Sequence, residues 1–136
     1  MNTSSKPEVF MCIAWELSAL STCDRKHVGA IIVRDGRCIS WGYNGAPPGL
    51  PHCQHSPDEE ECLNATHAEL NAICFAARQG ISTEAATLYA TCSPCLRCSQ
   101  ALIASGISSV VYDEEYRDPA GRELLDKAGV ACTAVS

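Results

Sequence analysis

The sequence has no apolar run approaching the roughly 20 residues that cross a bilayer, and residues 1–8 lack the basic and apolar stretches of an export signal. Neither a membrane span nor secretion is expected, so the expected location is the cytoplasm. A basic excess is missing too: ten Lys and Arg against sixteen Asp and Glu leave a formal charge of −6. A long nucleic acid, whose binding rests on neutralising many phosphates, is therefore not the expected partner, although a local cation cluster can still serve a single phosphate. Gln-rich, Ser-rich and charged runs, internal repeats and linkers are all absent. Apolar residues, 46% of the chain, are spread along all 136 positions, which suits one core and one domain over residues 1–136.

What the chain does have is cysteine. Ten of them without an export signal read as reduced thiols, some binding metal, rather than as a disulfide framework. Zinc is the first metal to consider. Cys12, Cys38, Cys74, Cys92 and Cys132 fall in or beside apolar patterns and are expected to be packing residues.

Phe10, Ile13, Ala14, Leu17 and Leu20 recur at helical spacing, predicting an amphipathic helix over residues 7–20. Residues 28–34 and 37–41 read as strands joined at Asp35-Gly36, a dipeptide suited to a tight hairpin. Residues 42–65 carry four prolines and three glycines without a sustained period and form a long loop, of the kind that is usually functional in a small domain. Thr66 is expected to cap a second helix with Leu70, Ile73, Cys74 and Ala77 as its buried stripe and Gly80 at its end. A strand over 87–91 leads to Ser93 and Pro94, which suit the start of a third helix ending at Gly106. A strand over 110–112, a helix from Asp118-Pro119 to Gly129 and a strand over 130–135 complete an α-β-β-α-β-α-β-α-β order. That order predicts an α/β fold with one mixed sheet covered by helices.

Two helix starts carry the chemistry. His67-Ala68-Glu69 opens one and Pro94-Cys95-Leu96-Arg97-Cys98 the next. Cys95 and Cys98, three apart, lie on one face of a helical turn and can grip one tetrahedral ion. His67 supplies a third ligand, and three protein ligands leave a fourth position for water, as in catalytic rather than closed structural zinc sites. Helix N-termini favour thiolate over thiol. Glu69 is then placed to take a proton from the activated water and pass it on. A structural zinc site would want a fourth Cys or His, and an isolated Cys-x-x-Cys would suit redox chemistry instead. The combination of His-x-Glu with Pro-Cys-x-x-Cys is the signature of zinc-dependent deaminases.

The resemblance narrows further. Residues 42–53 (Gly-Tyr-Asn-Gly-Ala-Pro-Pro-Gly-Leu-Pro-His-Cys), 67–73 (His-Ala-Glu-Leu-Asn-Ala-Ile) and Ser93-Pro94-Cys95, with Val28-Gly29-Ala30 and Tyr116-Arg117-Asp118-Pro119, resemble the deoxycytidylate (dCMP) deaminase family over almost the whole chain. The resemblance implies a three-layer cytidine-deaminase-like fold, with a mixed five-stranded sheet and helices on both faces. It implies conversion of dCMP to dUMP with release of ammonia, supplying thymidylate synthesis, and a homo-hexamer. It makes His67, Cys95 and Cys98 the zinc ligands and Glu69 the proton carrier. By position, the Ala68 backbone would read the pyrimidine edge, Asn44 the sugar, and Tyr116 would lie beside the nucleotide. Asn44-Gly45 is equally good turn chemistry. Arg25, Lys26 and Arg117 are the phosphate candidates, each also plain as a surface charge. Arg78 shares a helical stripe with His67 and would reach an active site from a neighbouring subunit, or simply complement the helix dipole.

Cys23, Cys53, His55 and Cys62 are left over from catalysis. In some phage and bacterial relatives the positions of Cys23 and Cys53 help to hold a second, structural zinc, and His55 is preferred to His52 as a further ligand. The alternative is free apolar cysteines. Larger relatives are activated by dCTP and inhibited by dTTP. Residues 44–49, Gly45 among them, resemble their effector-binding part, which would bring Mg2+ with the triphosphate. The rival activities are another nucleoside, nucleotide or tRNA base deaminase, of which the acidic charge and the loop from Tyr43 to Gly49 argue against the RNA one, and a non-enzymatic zinc-binding module.

Overall fold

The computed structural model describes residues 5–23, 26–51 and 65–135. Its elements run α1 (Lys6–Ser18), β1 (Gly29–Arg34), β2 (Arg37–Tyr43), α2 (Ala68–Arg78), β3 (Thr87–Cys92), α3 (Leu96–Ala104), β4 (Ser109–Glu114), α4 (Ala120–Lys127) and β5 (Ala131–Ala134), in the order expected. The hairpin forms where Asp35-Gly36 placed it, with Arg34 opposite Arg37 and positive φ at both turn residues, 54° and 74°. Two left-handed residues in succession match the twist of the strands they join.

The sheet order is β2-β1-β3-β4-β5. β1 runs antiparallel to β2 and β3, while β3, β4 and β5 are parallel, so the sheet is mixed. Strand alternation sends Ala30, Ile32, Leu88 and Ala90 into one core with Ala68, Ala72, Leu102 and Leu125 of α2, α3 and α4. The intervening Ile31, Val33 and Tyr89 meet Met11 and Ala14 of α1 on the opposite face. The result is the predicted three-layer α/β architecture.

Several local expectations fail, and on α2 the reason is visible. The sheet-facing side of α2 is Ala68, Ala72 and Ala76 with Glu69; of the expected stripe the half-buried Ile73 packs on this core, whereas Leu70, Cys74 and Ala77 are exposed. Backbone contact explains this, because a Cβ on Gly42 of β2 would lie 2.6 Å from the Ala68 carbonyl oxygen and 2.8 Å from the Ala72 nitrogen. Only alanine fits between a helix and a strand that close. On α1, likewise, Ile13 and Leu20 are exposed, while Met11, Ala14 and Ser18 are buried. Cys12, Cys38 and Cys74 are exposed rather than packed, whereas Cys92 is buried.

Candidate active site

β2 and β3 are each antiparallel to β1 and so run in the same direction, which puts the helices that follow them, α2 and α3, at the same end of the sheet. α2 begins at the N-cap His67 and α3 at the N-cap Cys95. The expected caps have other work. Thr66 exchanges two backbone hydrogen bonds with Gly45, of 2.8 and 3.1 Å, and Ser93 Oγ accepts from the Tyr116 N–H at 2.7 Å.

His67 Nδ1 lies 3.5 Å from Cys95 Sγ and 3.3 Å from Cys98 Sγ. All three atoms fall within 4.8 Å of one another. Zn–S bonds of about 2.3 Å and a Zn–N bond of about 2.0 Å at tetrahedral angles separate N from S by roughly 3.5 Å, so the donor set has the spacing and chemistry of a zinc site. The two thiols hydrogen-bond one another. Cys95 falls to about 4, chiefly because the Cys98 S–H hydrogen-bonds its thiolate, with His67 assisting against the cost of burial. Cys98 is correspondingly pushed up, by that same bond and by its own burial.

Glu69, only 5% exposed, sits in the first turn of α2 beside these ligands. Burial raises its carboxyl above the usual carboxylate range; the charge of His67 and a hydrogen bond with Cys98 oppose that rise. The carboxyl opens into a cavity of about 260 Å³ lined also by Lys26, Val28, Asn44, His67, Ala68, Cys92, Ser93, Cys95 and Tyr116. A second, more open cavity of about 470 Å³ shares His67, Cys95 and Tyr116 with it and adds Arg97, Cys98 and Asp118. Small molecules bind in concavities of this kind, walled by apolar groups with a few convergent polar ones.

The predicted residues divide accordingly. Asn44, Ala68, Glu69, Tyr116 and Lys26 all line the smaller cavity with His67 and Cys95, while Cys98 borders the wider one. Asn44 is also structural: its Oδ1 accepts the Val28 N–H at 2.7 Å and its amide donates to the Lys26 carbonyl. Lys26 Nζ lies 3.4 Å from Cys92 Sγ and 4.0 Å from Glu114. Gly45 is buried against Thr22, away from the cavity walls. Arg117 and Arg78 are exposed and line neither of these two cavities. Arg25, Cys53, His55 and Cys62, with His52, lie outside the described residues, while Cys23 is buried. Cys92 and Ser93, whose sequence context signals packing and a helix start, also line the cavity; that place comes from tertiary contacts that no local spacing signals.

A family model for the cytidine and deoxycytidylate deaminase zinc-binding region matches residues 4–114. The chain belongs to this family. It is 39% identical over 139 residues to the ComE operon protein 2 of Bacillus subtilis, covering 99% of this chain and 74% of the relative. Against the deoxycytidylate deaminase of Enterobacteria phage T4 it is 35% identical over 168 residues, covering 92% and 87%. The crystal structure of dCMP deaminase from the cyanophage S-TIM5 in complex with dCMP and dUMP superposes with a TM-score of 0.91 at 32% identity, over 98% of this chain and 99% of that one. The family match and a His67, Cys95 and Cys98 cluster able to hold a metal ion support a catalytic zinc.

Proposed function

We propose that this deaminase converts dCMP and water to dUMP and ammonia, and so feeds thymidylate synthesis from the cytoplasm. The observation that carries the reading is a buried carboxyl, Glu69, beside a His-Cys-Cys donor cluster, with His67 and Cys95 of that cluster lining the same cavity of about 260 Å³ as the carboxyl. The cyanophage enzyme whose structure this chain matches was crystallised with dCMP and dUMP, which supports the choice of base and sugar.

His67 Nδ1 and the sulfurs of Cys95 and Cys98 would hold zinc; when bound, the ion activates water for attack at C4 of the cytosine ring. The remaining work falls to protein groups. The Glu69 carboxylate accepts a proton from that water, delivers it to ring N3, and then carries a proton to the departing amine. A carboxyl whose burial raises its proton affinity suits such a carrier. The Ala68 N–H, at a helix N-terminus where backbone donors lack intrahelical partners, supports reading of the pyrimidine edge. Asn44 would meet the sugar with the lone pair and N–H left over from its backbone bonds. Tyr116 walls the nucleotide. For the phosphate, Lys26 is the cation in the cavity wall, which supports it over the exposed Arg117.

Two finer assignments follow the same reading. A second structural zinc on Cys23, Cys53, His55 and Cys62 would tie down the proline-rich loop. Effector nucleotides, dCTP or dTTP with Mg2+, would bind beside residues 44–49, where a third cavity of about 380 Å³ is lined by Ala46, Pro47, Pro48, Gly49, Trp41 and Tyr43. Trp41 and Tyr43 stack at 6.1 Å there, and the exposed Trp41, Leu50 and Phe75 beside them support burial in a homo-hexamer. Ammonia release from dCMP, deoxycytidine, CMP and dCTP, with and without dTTP, tests the assignment. Clear preference for dCMP is expected; equal turnover of all four would refute it.

A further inference from the structure

Arg122 stands outside every motif yet reaches the cavity wall through the residues that build it. Gly121 makes this possible. A Cβ at 121 would collide with the Pro94 carbonyl oxygen and lie 2.8 Å from the Cys95 carbonyl, so α4 rests directly on the backbone that carries the first cysteine ligand. The next residue, Arg122, then places Nη1 3.4 Å from Ser93 Oγ and 3.4 Å from the Tyr116 carbonyl oxygen. Its guanidinium also lies 6.0 Å from the Tyr112 ring centroid and 3.9 Å from the Glu115 carboxylate. These contacts hold a cation at 21% side-chain exposure, where a solvated Lys or Arg would ordinarily point outward.

The segment it grips has little other support. The Ser93 N–H donates to the Glu114 carbonyl at 2.9 Å, and the Tyr116 N–H returns to Ser93 Oγ at 2.7 Å. Ser93 and Tyr116 both line the cavity that holds Glu69, and Tyr116 also borders the wider opening beyond it. Arg122 thus ties the third corner of a Ser93–Tyr116 clasp, with α4 as the rigid backing.

We propose that Arg122 is a positioning residue for nucleotide binding, holding Tyr116 as the wall of the substrate cavity through Ser93 Oγ and the Tyr116 carbonyl. The proposal rests on the reading of that cavity as the dCMP site. Because Arg122 touches neither Glu69 nor a metal donor atom, its loss loosens the wall and leaves the chemical step in place. The effect belongs in KM and in product affinity, not in kcat.

Arg122→Gln, Arg122→Lys, Ser93→Ala and the Ser93→Ala/Arg122→Gln double variant test this, with kcat and KM for dCMP, Kd for dUMP by calorimetry, zinc content and Tm measured on each. Loss of a charge-assisted contact is worth on the order of a tenfold change, so Arg122→Gln should raise KM and the dUMP Kd about tenfold with kcat within about twofold. Arg122→Lys keeps a cation but not the forked geometry and should recover part of the loss; it also covers the case in which the Gln variant fails to fold. Since both side chains act on one clasp, the double variant should bind no worse than the weaker single variant. An unchanged KM and Kd, an equal fall in kcat, or additive losses would overturn the proposal alone. A wild-type protein that neither turns over dCMP nor binds dUMP would remove the underlying reading and the proposal with it.

Discussion

Gly42 in the edge strand β2 and Ala68 at the head of α2 meet backbone to backbone: a Cβ at position 42 would stand 2.6 Å from the Ala68 carbonyl oxygen. The contact sits next to the site, since Ala68 lies between His67 and Glu69. Ser40 Oγ and the Asn71 amide add bonds across the same seam, at 2.7 Å each, to the Ala72 and Tyr43 carbonyls. Gly42→Ala should therefore force helix and strand apart. Overpacking of this kind costs about 1–3 kcal/mol, which for a domain of this size lowers Tm by roughly 5–10 °C. Thermal unfolding checks it, and an unchanged Tm would mean that α2 does not lie this close. Zinc content and activity should fall together with stability, because α2 carries His67 and Glu69.

Glu69→Gln separates proton transfer from metal binding. The amide fills nearly the same volume in the buried position but cannot accept and return a proton. A positioned acid–base group contributes about 10²–10⁴-fold, so kcat should fall by at least the lower of these while zinc stoichiometry stays at the wild-type value. Ammonia assays paired with metal analysis decide the matter; a variant that keeps most of its turnover would show that another group moves the proton.

Metal removal reports on the donor cluster. A ligand that binds only the folded chain stabilises it in proportion to the logarithm of its concentration over Kd, about 4 kcal/mol at a thousand-fold excess. Chelation should abolish turnover and lower Tm, and zinc should restore both. Magnesium should not, because thiolate donors select soft ions. Each ligand must give up its proton to bind, so zinc affinity should weaken as pH is lowered. Recovery of activity by magnesium alone would exclude the His67, Cys95 and Cys98 assignment.

The legible parts of this chain are those encoded over a few residues. Asp35-Gly36 announces its hairpin because two successive positive φ values need such residues. Cys95, Cys98 and the His67-Ala68-Glu69 triplet announce a metal site because helical spacing puts the paired thiols on one face. What stayed hidden depends on the distance between elements. The alanine face of α2 was misread in favour of Leu70 and Cys74, since hydrophobic size signals burial only when there is room for it. Thr66 and Ser93 look like helix caps in isolation, yet each is claimed by a residue more than twenty positions away, Gly45 and Tyr116. Arg122 carries no local signal, because its importance lies in what α4 packs against.

Ser99 offers a final test, of how tightly the site-bearing helix α3 is filled. Its hydroxyl is fully buried and, among the described residues, has no hydrogen-bond partner. A buried polar group left unmatched costs about 1–3 kcal/mol, and serine is also a poorer helix former than alanine, by a few tenths of a kcal/mol. Both terms disappear in Ser99→Ala, which removes one oxygen and leaves a space too small to matter greatly. The variant should therefore unfold at a higher temperature, by roughly 2–6 °C for a gain of about 1 kcal/mol, with zinc content unchanged although Cys98 is its neighbour. Differential scanning calorimetry measures the shift directly. A Tm that fell instead would mean that the hydroxyl is bonded in solution, by water or by another part of the chain, and that α3 depends on that bond to hold Cys98 in place.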